Sequence, residues 1–180
     1  MDAPAFLDVN GVRYGVVRLL GKGKGGYSWL VEREGRAFVL KQLHHEPCDY
    51  YAFGDKLEAE RRDYLRLKDA GIPIPERCDV DAANERILKE YVPGPTILEL
   101  LKAGRGVDAF LPAVRALSDR ARAAGLNLDW FPSNFVPRDG NLVYVDYECN
   151  AYADEWSFEG WGVRYWSMTP ELLQYLSENP

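Results

Sequence analysis

The breaker Pro93-Gly94-Pro95 divides this chain into two stretches of unlike pattern, and that order constrains the fold more than any single motif. Before it come strands with one helix. Val16 to Leu20, Trp29 to Glu32 and Ala37 to Leu43 read as strands, with a glycine cluster after the first and the turn Glu34-Gly35 before the last. A helix is expected from about Gly54 to Ala70, closed by Gly71 and by Ile72-Pro73-Ile74-Pro75. Ile87 to Val92 reads as a further strand. After the breaker come helices with one hairpin. A short helix falls around Ile97 to Lys102, and a longer one around Asp108 to Ala124, where Phe110, Val114, Leu117, Ala121 and Ala124 recur at helical spacing. Phe135-Val136 and Leu142 to Val145 flank Arg138-Asp139-Gly140-Asn141, a hairpin signal. A last helix opens at Thr169-Pro170-Glu171. Strands first and helices later predict an α+β chain, divided near Tyr91 to Thr96.

Composition narrows the class. With 47% hydrophobic residues over 180, one domain or two small lobes sharing a cleft can bury a core. A formal charge of −6 argues against nucleic acid or an anionic membrane as the main partner. Cys48, Cys78 and Cys149 lie far apart, with neither a disulfide framework nor a zinc spacing, which suits a reducing cytoplasm. No basic segment followed by an apolar run opens the chain, so no signal peptide is expected, nor is a membrane span.

Gly21-Lys22-Gly23-Lys24-Gly25-Gly26 follows a strand and contains G-x-G-x-x-G. Such glycines let backbone N–H groups approach a phosphate closely, but a flexible hairpin turn has the same composition. Tyr27-Ser28-Trp29-Leu30-Val31 reads as a strand, not the helix that a dinucleotide site requires. A glycine loop between two strands points to a nucleotide gripped under a hairpin. Alternation puts Ala37, Val39 and Lys41 on one strand face, where Lys41 serves either phosphate or a protected sheet edge. On the following helix Leu57, Glu60, Tyr64 and Leu67 share a stripe, so Glu60 faces inward. An inward carboxylate needs a partner, and Lys41 is the obvious one; the alternative is an outward reach to Arg61 or Arg62.

Asn134 and Asp146 each lie six residues from Gly140, so folding at that turn brings them together at the hairpin's open end. An amide oxygen and a carboxylate are hard ligands suited to magnesium held by nucleotide phosphates, and Asp129 could join them from the preceding loop. His44 and His45, adjacent on a strand, cannot readily serve one ion. Trp156, Trp161, Tyr165 and Trp166 could stack on a substrate or cover a small core.

In this order the residues resemble the protein-kinase-like superfamily, including its choline kinase and aminoglycoside phosphotransferase branches. Leu20 to Gly26 resembles the glycine-rich loop and Phe38-Val39-Leu40-Lys41 the strand ending in the phosphate-binding lysine. Glu60 falls where that family's helix glutamate stands. Lys89-Glu90-Tyr91-Val92-Pro93-Gly94 is similar to the hinge, Leu128 to Asn134 to the catalytic loop, and Val145-Asp146-Tyr147-Glu148 to the metal-binding segment. The resemblance implies a bilobal fold, with a β-rich N-lobe to about residue 91, a hinge at about 90–96 and a reduced helical C-lobe beyond. It implies nucleotide contacts at Gly21, Gly23, Gly25, Gly26, Ser28, Val39, Lys41, Glu90 and Val92, with the last two holding adenine through their backbone. Catalytic roles would fall to Asp129 as base and to Lys41 and Glu60, with Asn134 and Asp146 holding Mg2+.

Expected function is therefore phosphate transfer from ATP to a hydroxyl acceptor, on a protein or a small molecule. A nucleotide-binding module without catalysis is the alternative. Departures from the pattern are Asn127 where histidine is usual, Phe131 where many protein kinases have lysine, and no Ala-Pro-Glu after Asp146.

Overall fold

A computed structural model describes residues 4–23, 25–45 and 55–179. The chain divides into two compact units. One comprises the residues up to Arg61 with Pro75–Tyr91; the other comprises Arg62–Ile74 and the chain from Val92 onward.

The first unit is built on a six-stranded sheet in the order β1-β2-β3-β4-β6-β5. Its strands are β1 (Phe6–Val9), β2 (Val12–Lys22), β3 (Gly26–Arg33), β4 (Arg36–Leu43), β5 (Arg77–Asp81) and β6 (Arg86–Glu90), every neighbouring pair antiparallel. Two hairpins close through two-residue turns with positive φ at both positions, Asn10-Gly11 and Glu34-Gly35, the backbone hand that matches strand twist. The first was not anticipated, and neither was β5. The expected strand Val16 to Leu20 is the middle of a longer β2, and the strand expected to reach Val92 ends at Glu90.

Register shifts between Val16 and Arg18, and between Leu19 and Gly21, insert two extra residues into β2 and bend it. The curled sheet joins its own edges. Asn10 donates its N–H to Asp81 Oδ2 (2.9 Å) and its side-chain amide to Asp79 and to the Val80 carbonyl, while Arg86 donates to the Asp8 carbonyl (2.6 Å). Leu7, Val9, Tyr14, Val31, Leu40 and Leu88 fill the core of this unit. Phe38 and Leu40 serve that core from one face of β4, which leaves Val39 and Lys41 on the other.

Helix α1 (Lys56–Asp69) contributes its first turns to this unit and the remainder to the second. The expected start at Gly54 lies outside the described residues, as does Cys48. Gly71 ends the helix: its N–H bonds the Lys68 carbonyl, and that of Ile72 bonds Leu67.

The second unit adds α2 (Ile97–Lys102), α3 (Leu111–Ala123), β7 (Leu126–Leu128), the hairpin β8 (Phe135–Arg138) and β9 (Asn141–Tyr144), β10 (Cys149–Ala151) and α4 (Pro170–Glu178). Thr96 and Glu99 form a reciprocal capping box that starts α2. The stretch expected as one helix from Asp108 opens as a 3-10 turn, and α3 begins at Leu111. Ala124, expected on its apolar face, is the exposed C-cap, and Ser118 is buried instead. β7 and β10 pair antiparallel through Leu128 and Cys149; neither was anticipated.

The core of this unit gathers Leu67, Ile97, Leu117, Leu126, Phe135 and Trp166 among others. The expected aromatic cluster of the tail divides: Trp166 is buried, Trp161 and Tyr165 pack at the edge of the core, and Trp156 is 56% exposed. No described helix is long and apolar enough to cross a membrane.

Candidate functional site

The residues expected from the sequence to carry chemistry fall into two groups, one in each unit. In the first, Lys41 donates to Glu60 Oε1 across 19 positions of sequence, linking β4 to the first turns of α1. Their side chains are only 14% and 15% exposed, and Glu60 Oε2 is buried with no hydrogen-bond partner among the described residues. The alternation of β4 and the stripe of α1 place both groups on facing apolar surfaces, where each needs the other.

The glycine cluster lies over this pair, with its positions doing different work. β2 runs on through Gly21 to Lys22, so Gly21 is a strand residue paired with Ser28, and nothing crowds its absent side chain. Gly26 opens β3 against Leu43, and a methyl there would overlap the Gln42 carbonyl. Gly25 is the one nearest the ion pair: a Cβ built on it stands 4.0 Å from Lys41 Nζ. Gly23, expected among the phosphate donors, gives its N–H to the Gly26 carbonyl (2.9 Å).

His44, set aside in the sequence, fastens this turn. Its ring Nε2 meets the Gly23 carbonyl at 3.1 Å and its backbone N–H bonds the Gly25 carbonyl at 3.3 Å. Its ring lies 5.2 Å from that of Tyr27, and Lys56 donates to the His44 carbonyl. His45 turns instead to Glu85, so the two histidines have separate partners.

The second group surrounds the β8–β9 hairpin. Phe135 pairs with Tyr144 and Arg138 with Asn141, so the turn's axis falls between Asp139 and Gly140 rather than on Gly140. Asn134 therefore stands opposite Val145, whose N–H bonds its carbonyl at 2.9 Å, and Asp146 lies one residue further on. Asn134 donates Nδ2 to the Asp129 carbonyl (3.2 Å), which leaves its amide oxygen as the atom able to act as a ligand. Asp129 follows β7, is exposed, and accepts the Phe131 N–H at Oδ1 (3.1 Å). Asp146 accepts the Tyr147 N–H at 2.7 Å. The oxygen donors of Asn134 and Asp146 suit a hard cation. No cluster of three or more His, Cys, Asp or Glu side chains fit for a metal occurs among the described residues.

A residue that sequence reasoning missed sits beneath this group. The Tyr144 hydroxyl accepts the Asp129 N–H (3.2 Å) and donates to the Glu148 carbonyl (2.8 Å). Burial, reinforced by the charges of Asp146 and Asp129, holds this phenol well above its ordinary range, so it stays protonated and able to donate. Its place in a strand made it look like core. Only the hydrogen bonds reveal more.

Of the expected hinge, Glu90 gives its N–H to the Glu76 carbonyl (2.8 Å), and Val92 is buried beside Val136 and Val143. Lys89 is 5% exposed.

A solved kinase domain has the same fold. The crystal structure of the BubR1 kinase domain matches with a TM-score of 0.57 at 18% sequence identity, over 81% of this chain and 49% of that one. The chain has a kinase-like fold and spans about half the length of that kinase domain. No protein-family model and no curated protein sequence matches it.

Proposed function

We propose that the chain is an ATP- and Mg2+-dependent phosphotransferase acting on a hydroxyl acceptor, carried by a protein or a small molecule. The observation that carries this reading is the Lys41–Glu60 ion pair under the glycine turn, on a kinase-like fold. A largely buried cation of that kind would meet phosphate oxygens, and its carboxylate partner would keep it extended. Backbone groups near Gly25 would line the same phosphates, with Val39 beside the purine and the Glu90 carbonyl and Val92 N–H holding its edge. Asn134 and Asp146 would hold magnesium, which neutralises charge on the phosphate oxygens when bound. Asp129 would accept the proton of the acceptor hydroxyl. Positioning and charge neutralisation dominate such transfers, so little covalent work falls to the protein.

The test is single-turnover transfer from labelled ATP, first to the protein itself and then to candidate hydroxyl acceptors. Asp129→Asn is expected to keep Mg-ATP affinity and to lower transfer roughly 10²-fold, the lower end for general acid–base catalysis because the acceptor proton leaves late. Equal rates well above background would remove Asp129 from the role of base. Mg-ATP binding without transfer to any acceptor would identify a nucleotide-binding module instead.

A further inference from the structure

We infer that Tyr144 is a positioning residue whose hydroxyl fixes the distance between the Asp129 loop and the Asp146–Glu148 segment. The inference rests on the reading of Asp129 as the base. A phenol offers one donor and lone pairs that accept, and Tyr144 uses both: it receives the Asp129 N–H and gives its proton to the Glu148 carbonyl. One hydroxyl thus bridges the backbone on both sides of the hairpin, two residues before Asp146 and fifteen after Asp129.

The bridge is anchored from below. Tyr144 has no exposed surface, its ring packs 5.2 Å from that of Phe135, and its N–H bonds the Pro73 carbonyl (2.8 Å). Phe135 in turn stacks on Trp130, the residue after Asp129. The loop is therefore held at the Asp129 amide by the hydroxyl and at Trp130 by ring packing. Phenylalanine would fill the same space, so packing alone does not account for the oxygen. Without it, the Asp129 N–H and the Glu148 carbonyl would each lose a partner, the Asp129 loop would gain freedom, and its carboxylate would spend less time where a proton acceptor is needed.

The experiment follows Asp129 in two ways. In the wild type its amide should exchange with solvent as slowly as the β7 amides; fast exchange there overturns the proposal without any variant. Tyr144→Phe should speed exchange at Asp129 and lower single-turnover transfer roughly tenfold to a hundredfold while Mg-ATP affinity stays within about twofold, the scale expected when a buried group loses its partner. In an Asp129→Asn background the same change should have no further effect on transfer, since Tyr144 acts through Asp129. Multiplicative losses in the double variant, or unchanged exchange at Asp129, would refute the positioning role. Absence of transfer by the wild type, with slow Asp129 exchange that Tyr144→Phe abolishes, would sink the phosphotransferase reading while leaving the tether in place.

Discussion

The Lys41–Glu60 pair offers the sharpest energetic test. Its side chains keep 14% and 15% of their exposure, so the pair lies near the buried extreme, where removing one partner typically costs about 3–5 kcal/mol. Exposed pairs contribute about 0–1 kcal/mol. The residual access to water places the expectation for Lys41→Met at about 2–4 kcal/mol, because the Glu60 carboxyl would lose its partner on β4. Glu60→Leu should also destabilise the unit, because it takes from the Lys41 ammonium its carboxylate partner on α1. The double variant removes both charges and fills the space with methylenes, an exchange that is often near neutral.

The two single losses should therefore exceed the double loss by about 2 kcal/mol or more. Native-state hydrogen exchange of the Leu40 amide is the suitable assay, since it reads the stability of β4 in the first unit rather than of the whole chain. Losses that add to within about 0.5 kcal/mol would mean that the two groups do not depend on each other, and the argument from burial would fail.

Two further outcomes follow from the same geometry. Gly26→Ala should destabilise the first unit by about 1–3 kcal/mol, because the added methyl meets the Gln42 backbone, whereas Gly21→Ala should change stability by less than about 1 kcal/mol; equal thermal shifts would contradict the steric assignment. The Asn84 side chain, with the N–H groups of Asn10 and Asn84, holds the Asp81 carboxyl below its usual range. A depressed carboxylate contributes stability above its unfolded pKa of about 4, and that contribution is lost as pH falls through the lower folded value. Asp81→Asn should therefore lower the thermal midpoint at pH 7, with a gap to wild type that narrows as pH falls below about 4; a gap that stays constant as pH falls would assign the effect to shape rather than charge.

What the sequence disclosed was local and periodic. Glu34-Gly35 and the Asp139-Gly140 turn announced their hairpins because a two-residue turn of that hand restricts residue choice. The inward placement of Glu60 followed from spacing alone. The pivot of the second hairpin was misplaced by half a residue, since a two-residue turn has its axis between positions, and only the register shows that Asp146 lies beyond Asn134's partner. Asn10-Gly11 carries the same turn signal and closes the β1–β2 hairpin in the same way. β5 stayed hidden because Arg77-Cys78-Asp79-Val80-Asp81 is an edge strand with a register shift between Arg77 and Asp79, which breaks the alternation a reader looks for. β7 and β10 are three residues each, too short for a period, and exist through each other. His44 and Tyr144 escaped for a common reason: their roles rest on hydrogen bonds to backbone groups, which leave no pattern in side-chain chemistry.

The glycine cluster and the aromatic tail show how chemistry and packing share residues here. Gly26 is required by the Gln42 carbonyl and Gly25 stands closest to the Lys41 ammonium, so a motif that reads as one phosphate loop contains a steric position and a chemical one side by side. The tail does the reverse, placing packing residues under a polar loop. Trp166 donates Nε1 to the Trp130 carbonyl at 2.8 Å, Gly162 leaves room for the Trp130 side chain, and Phe158 meets both indoles edge-on. Trp130 is thereby gripped from a segment that follows Asp146 in the chain, while its neighbour Asp129 remains exposed. A loop that must offer a carboxylate to solvent cannot hold itself by burying that carboxylate; it is held by burying the residue next to it. In this chain Phe158 and Trp166 supply the rings that do so, and losing them should free the Asp129 loop before it unfolds the β8–β9 hairpin, whose strands pair with each other from Phe135–Tyr144 to Arg138–Asn141.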